Sequence, residues 1–353
     1  MPSFFTDNLL DWHRMNPRPL PWSADEMNPY RIWLSEIIMQ QTRIQQGSSY
    51  YSKFTKYYPS VQDLAAAPLS EIMKHWEGLG YYTRARNLHR TAKFISAEMN
   101  GVFPETYAGL LSLPGIGPYS AAAIASFAYN HSHAVVDGNV KRLVARFAGI
   151  AEPVDEKTGY EKIFQFATKS IVGVSPADFN QAIMNFGALI CKPKPLCEMC
   201  PLAPKCYALQ HSITELLPVK AKKLSRSLRF FHFIIITHKS KMVMMRRGEK
   251  DIWRDLCTPP MIETSSARSP GEKKIRQFVS EIAGDAELMI HNAKASLQQE
   301  LSHQSIVGRF HFAELSGRVR LDKFFLWVDK KSIDSMALPR MIVEARKKKI
   351  IPL

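Results

Sequence analysis

At 353 residues, with 46% hydrophobic and 22% charged side chains, the chain is long enough for about two domains of roughly 150 residues and can bury ordinary cores, which excludes a wholly disordered protein. Its best apolar run, Phe230–Thr237, has the length of a strand, well short of the roughly 18 residues that span a bilayer; the N-terminus lacks a basic segment followed by an apolar core, and Asp7 and Asp11 argue against an Arg-rich transit peptide, so secretion and membrane insertion are set aside. With 47 Lys and Arg against 32 Asp and Glu, the net charge is +15 and the pI about 9.6, which points to a polyanionic partner.

In chain order, apolar residues recur at helical spacing from Pro29 to Gln46, Ser70 to Trp76, Thr83 to Met99, Thr106 to Leu111, Pro118 to Tyr129 and Asn139 to Ala148. Residues 1–210 therefore read as an all-α domain. Residues 211–228 are polar and basic and read as a linker. Residues 229–353 read as an α+β domain, with strands at Arg229–Thr237, Met242–Met245, Val307–Glu314 and Phe324–Val328, and helices near Ser269–Ile282 and Pro339–Lys348. Charge follows this division. Residues 1–210 carry 20 basic and 17 acidic side chains, whereas residues 211–353 carry 27 and 15, with basic runs at Lys220–Arg229 and Arg346–Lys349. No internal repeat or low-complexity tract interrupts the chain.

Three features carry chemistry. The segment LPGIGPYSA, Leu113–Ala121, sets a turn between two helices, and Gly115 and Gly117 leave backbone N–H groups facing outward at a helix start, an arrangement suited to a phosphate. Asp137, just ahead of the helix beginning near Asn139, has the position of an N-cap, and a carboxylate there can also stabilise a developing oxocarbenium cation beside a sugar. Glu36 lies at i+4 from Ile32 and i+3 from Trp33, so it projects near the apolar side of its helix; burial would raise its pKa, as a general acid requires. Separately, Cys191, Cys197, Cys200 and Cys206 form a C-x5-C-x2-C-x5-C run, a thiolate set that suits zinc or a 4Fe–4S cluster in a reducing compartment. Cys257 stands apart and reads as a small packed residue.

The helix–hairpin–helix with PGIG, the Asp that follows it and the trailing four-cysteine loop together resemble the helix–hairpin–helix DNA glycosylase superfamily. Within it, PYRIWLSEIIMQQTR (Pro29–Arg43), WEGLGYYTRARNLH (Trp76–His89) and VVDGNVKR (Val135–Arg142) resemble the adenine DNA glycosylase, or MutY, family, densely over residues 10–210 and more loosely beyond. The resemblance implies two domains: an all-α helix–hairpin–helix glycosylase domain with an iron–sulfur loop, then an α+β Nudix-like domain. It implies a monofunctional, cytoplasmic, DNA-associated bacterial enzyme. As a monomer, this enzyme excises adenine opposite 8-oxoguanine or G in double-stranded DNA during base excision repair. Glu36 would protonate the leaving base and later activate water, and Asp137 would act on the anomeric carbon. Tyr119 and Asn139 would support the Asp and the flipped sugar. Gln41 would fill the vacated space, with Gln40, Thr42 and Arg43 beside it on the same helix facing the orphaned base. Arg18 and Asn185 fall at the adenine pocket, Leu301, Ser302 and His303 at the loop that reads 8-oxoguanine, and the four cysteines at a 4Fe–4S cluster. Lys192, Lys194 and Lys205 would face phosphates.

The chain departs from the family at four places. The first cysteine gap has five residues instead of six. Asn185 stands where an acid is usual, Ser23 where Arg is frequent, and Leu301 where Phe is usual. Two rival functions follow from the same residues. An endonuclease III-like glycosylase/lyase would need a Schiff-base lysine where Tyr119 sits. A catalytically impaired DNA-binding cluster protein would be consistent with Asn185 and Ser23. No Nudix box of clustered glutamates is present, so nucleotide hydrolysis is not expected.

Overall fold

The computed structural model describes residues 2–18, 27–221 and 226–351; Ser23 and residues 222–225 of the expected linker lie outside them. The chain forms two compact units, Met1–Ala66 with Asn87–Lys223, and Ala67–Arg86 with Leu224–Leu353. Among the described residues no helix is long and apolar enough to cross a membrane.

The helices in chain order are α1 (Pro2–Met15), α2 (Pro29–Met39), α3 (Ile44–Tyr57), α4 (Val61–Ala66), α5 (Leu69–His75), α6 (Thr83–Glu98), α7 (Tyr107–Ser112), α8 (Pro118–Tyr129), α9 (Gly138–Ala148), α10 (Lys157–Ser170), α11 (Pro176–Leu189) and α12 (Tyr207–Gln210). All but α5 and the first turn of α6 belong to the first unit, which is helical, as its periodicity predicts. Its core centres on α8, where Ala121–Ser126 are buried all round. A second cluster packs Phe5, Leu9 and Trp12 of α1 with Phe147, Phe179 and Phe186; ring centroids are 4.9 Å apart for Phe5–Phe147 and 4.8 Å for Trp12–Phe186. Residues His211–Ala221 remain attached to this unit: Leu217 is buried, its carbonyl accepts from Arg146 Nε at 2.8 Å, and Val154 N–H donates to the Val219 carbonyl at 3.0 Å.

The expected single helix Pro29–Gln46 is two helices. Asn28 caps α2, its side chain accepting from Arg31 N–H, and Pro29 starts it without losing a bond. The helix ends at Met39 because Gln41 takes a left-handed φ of 56°, and α3 then folds back. Gly47 permits this reversal, since a Cβ there would overlap the Met39 sulfur. Gln40, Gln41, Thr42 and Arg43 thus form the α2–α3 turn and do not continue the Glu36 helix.

The second unit is built on one sheet with strand order β3-β2-β1-β6-β5, with β4 on β1 and β7 on β2. The strands are β1 (Ser227–His238), β2 (Lys241–Arg246), β3 (Cys257–Thr258), β4 (Met261–Thr264), β5 (Glu287–Glu300), β6 (Gln304–Ser316) and β7 (Phe325–Val328); the helices are α13 (Glu272–Ala283), α14 (Lys330–Ser335) and α15 (Arg340–Lys347). β1 pairs with β6 in parallel from Ser227↔Gln304 to Thr237↔Glu314 and is buried at every position from Phe231 to Ile236. That is why its sequence is a continuous apolar run with no alternation. α13 buries Ile275, Val279 and Ile282 against Ile234, Ile236 and Leu315, while Met341 of α15 lies over Gly308. β5, a long edge strand, carries too many polar residues for its alternation to be read from sequence, and its antiparallel pairing with β6 shifts register between His291 and Ala295.

Candidate active site

The two carboxylates come from the middle of α2 and the start of α9. Asp137 caps α9: its Oδ1 accepts from the N–H groups of Asn139 (2.8 Å) and Val140 (2.7 Å), and its Oδ2 from the Asn139 side-chain amide (2.8 Å). Burial raises its pKa, and those hydrogen bonds together with Arg142 oppose the rise. The Asn139 side-chain Oδ1 in turn accepts from Arg142 at 2.9 Å, and Arg142 also donates to the backbone carbonyls of Gly187 and Cys191, each at 2.7 Å. A continuous polar chain therefore runs from the catalytic-type carboxylate to the first cysteine. Gly187 is required by this packing, because a Cβ there would meet the Asn139 backbone at 2.8 Å.

Glu36 is half-buried at the wall of a cleft lined by Ile32, Ser35, Arg18, Phe127, Val174 and Gln181. Its pKa is pushed up from 4.5 to about 7, chiefly by burial, with a hydrogen bond from Tyr119 opposing the rise and repulsion from Asp137 adding to it. The Tyr119 phenol is itself held well above its ordinary value by burial and by both carboxylates, so it is a neutral donor at any physiological pH. The apolar-side projection read from the α2 sequence is thus what protonates Glu36 near neutrality. No lysine occupies the hairpin position; Tyr119 and Ser120 do.

The hairpin lies between α7 and α8. Gly115 has φ 75° and leaves no room for a Cβ against Asn87, whereas Gly117, the N-cap of α8, is open on its outer side. The α2–α3 turn is tied to the hairpin by Gln40 Nε2, which donates to Ser120 Oγ at 3.0 Å, while Gln41 and Arg43 are exposed. Arg18 donates to Asn185 Oδ1 at 3.3 Å, and the buried Asn185 Nδ2 has no partner among the described residues. Leu301–His303 form the tip of the β5–β6 hairpin in the second unit, closed by Leu301 N–H to the Gln304 carbonyl at 2.8 Å, with Ser302 and His303 exposed. Ser302 Oγ is 2.8 Å from the hydroxyl of Tyr81, a partner with no sequence signal except its place in the quoted GLGYY fragment. Ser120 carries no sequence signal of its own either, whereas Arg142 is marked as the i+3 neighbour of Asn139 on a helix.

The four cysteines are unpaired thiols that line a single cavity with Leu143, Phe147 and Leu202. Among the described residues no three His, Cys, Asp or Glu side chains converge on a single-ion position. The fully buried Arg146 secures the short first gap by donating to the carbonyls of Lys192 (2.6 Å) and Pro193 (2.8 Å) and to Cys191 Sγ at 3.6 Å. Burial raises the thiol of Cys191 and pushes Cys200 up to about 12, so these sulfurs stay protonated unless a cationic group sits among them. Four soft donors lining one space are a ligand set whose chemistry suits zinc or an iron–sulfur group.

The helix–hairpin–helix lies within a stretch, residues 34–187, that matches the sequence profile of the HhH-GPD superfamily of base excision DNA repair proteins. The chain is 37% identical over 270 residues to an adenine DNA glycosylase of Buchnera aphidicola subsp. Baizongia pistaciae, covering 75% of this chain and 76% of that one. Against the adenine DNA glycosylase of Buchnera aphidicola subsp. Schizaphis graminum it is 32% identical over 347 residues, 96% of both. A thermostable thymine-DNA glycosylase superposes with a TM-score of 0.55 at 29% identity, over 60% of this chain and 97% of that one. The chain belongs to the adenine DNA glycosylase family, whose members hydrolyse N-glycosidic bonds.

Proposed function

We propose that this protein extrudes adenine from A:8-oxoguanine and A:G mispairs in double-stranded DNA and hydrolyses its glycosidic bond without a lyase step. The observation that carries this reading is the Glu36 carboxyl, poised near pH 7 beside a hydrogen-bonded Asp137 and a neutral Tyr119 in place of an amine. Glu36 gives its proton to a ring nitrogen of adenine, and the bonding pair leaves with the base. Asp137 faces the oxocarbenium carbon while Tyr119 and Asn139 hold the two carboxylates in place. Glu36, now a carboxylate, takes a proton from the water that attacks the sugar. Arg18 and Asn185 contact the flipped base, Gln41 fills the gap with Gln40, Thr42 and Arg43 beside it, and the Gly115–Gly117 turn holds a phosphate. The second unit, in this reading Nudix-like, presents Leu301, Ser302 and His303 to the partner base. The protein acts as a DNA-associated monomer.

Cys191, Cys197, Cys200 and Cys206 would hold a 4Fe–4S cluster, whose cationic iron would keep the buried Cys191 and the three half-buried sulfurs as thiolates and hold in order the loop carrying Lys192, Lys194 and Lys205. Anaerobically purified protein is expected to contain about four irons per chain; stoichiometric zinc without iron would overturn that assignment.

The function is tested by single-turnover excision from duplexes with A opposite 8-oxoguanine or G, in the wild type and in Ser302→Ala/His303→Ala. One base contact is worth about 1–3 kcal/mol of discrimination, so the preference for 8-oxoguanine should fall by roughly 5- to 150-fold. An unchanged ratio would remove the hairpin tip from recognition.

A further inference from the structure

Leu338, fully buried just ahead of α15, is gripped on both sides of its backbone by residues Glu77 and Tyr82 of the same unit. Its N–H donates to Glu77 Oε2 at 2.9 Å, and its carbonyl accepts from the Tyr82 hydroxyl at 3.1 Å. Lys74 Nζ donates to Glu77 Oε1 and to the Met336 carbonyl, both at 3.0 Å, and Arg86 donates to the Arg254 carbonyl at 2.9 Å. Residues 67–86 are therefore fastened to the sheet-containing part of the chain by bonds between groups more than 160 positions apart in sequence.

Between these anchors lies a turn that local sterics oppose. Gly78, Gly80 and Tyr81 have φ values of 94°, 79° and 48°, and the last is the left-handed region that an aromatic residue rarely adopts. Tyr81 is half exposed, its hydroxyl meets Ser302 at 2.8 Å, and the Arg84 guanidinium lies 5.5 Å from its ring and 5.2 Å from that of Trp76. A residue in a sparsely populated conformation persists only where its surroundings over-determine it. Here the surroundings are bonds within the turn, Trp76 Nε1 to the Gly80 carbonyl at 2.9 Å and Gly78 N–H to the Tyr82 hydroxyl at 3.4 Å, together with the two contacts to Leu338 that anchor Glu77 and Tyr82 at either side of it.

We propose that Glu77 and Tyr82 are positioning residues: their latch on Leu338 fixes the 76–82 turn so that Tyr81 stands against Ser302 at the β5–β6 hairpin tip. The proposal rests on the reading of Ser302 given above. It places part of the discrimination between partner bases in Glu77, which faces no base itself.

The test uses full-length Glu77→Ala, Glu77→Gln, Tyr82→Phe, Ser302→Ala and the Glu77→Ala/Ser302→Ala double variant. Single-turnover excision is measured on A:8-oxoguanine and A:G duplexes, and backbone hydrogen exchange of residues 76–84 and 301–304 is measured without DNA. Loss of one positioning hydrogen bond should lower the 8-oxoguanine preference by about threefold to tenfold in Glu77→Ala. Glu77→Gln keeps an oxygen to accept from Leu338 and should retain most of the preference. The double variant should be no worse than Ser302→Ala, because both act through one contact. Exchange should quicken in 76–84 and 301–304 together. Equal losses on both duplexes, independent effects in the double variant, or quickened exchange confined to 76–84 would each overturn the proposal. If Glu77→Ala does not fold, Tyr82→Phe, which removes only the hydroxyl, is judged by the same criteria. If Ser302→Ala leaves the preference unchanged, the recognition reading fails, and the latch then stands or falls on whether the two exchange changes are linked.

Discussion

Glu36→Gln is expected to lower single-turnover adenine excision by about 10²–10⁴-fold while leaving binding to mispaired DNA intact. The amide is isosteric and accepts from Tyr119 as the carboxyl does, but it has no proton to give. Because the wild-type acid titrates at about 7, excision by the wild type should fall as pH rises through that value, and the variant's residual rate should lack this limb. Stability should fall with rising pH as well. The folded state holds the Glu36 proton more tightly than the unfolded chain, whose glutamate titrates near 4.5, so the wild type loses stability as pH rises from about 4.5 to 7. By linkage the loss is at most about 3 kcal/mol. Glu36→Gln should therefore melt higher than the wild type at pH 8 and at nearly the same temperature at pH 4.5. Thermal unfolding at the two pH values checks this, and an unchanged difference would mean that Glu36 ionises freely.

Asp137→Asn should cost about 10²–10³-fold in excision, the magnitude of one lost electrostatic contact to a developing charge. Its structural consequence is specific. An Asn at 137 can still accept from the N–H groups of Asn139 and Val140 through one oxygen, but its amide nitrogen would then oppose the Asn139 side-chain donor that now bonds Oδ2. Asn139 must turn, which releases Arg142 from its oxygen and disturbs the chain leading to Cys191. The loss of catalysis should thus be accompanied by a modest loss of stability, about 1 kcal/mol for a weakened cap. Excision near the wild-type rate would show that no cation forms beside residue 137.

Much of the site is legible in the sequence because each group sits at a position with local logic. Asp137 precedes a helix that needs a cap, Gly115 marks a turn that only glycine permits, and Glu36 falls on the apolar side of an amphipathic stretch. What escapes is decided by tertiary geometry. The helix expected to run through Gln46 breaks at Gln41 because burying Ile37 and Ile38 of α2 together with Tyr51 and Phe54 of α3 requires the chain to reverse, and no proline or glycine announces the break. The contact between Tyr81 and Ser302 spans 221 positions and pairs two residue types found on any surface. α1 supplies Phe5, Leu9 and Trp12 to the core, but its polar residues blur the stripe in the sequence. β5 was hidden for the opposite reason: an edge strand needs no apolar run, and its polarity limits unwanted pairing.

Hydrolytic removal of adenine by a protonated Glu36, with no amine nucleophile, can be followed on a duplex bearing a single A opposite 8-oxoguanine, with the products separated before and after alkali and with borohydride added in a parallel reaction. Free adenine is expected, with an abasic strand that breaks only on alkali treatment and no borohydride-trapped protein–DNA adduct. Strand cleavage without alkali, a trapped covalent adduct, or failure to release adenine from this duplex would contradict it.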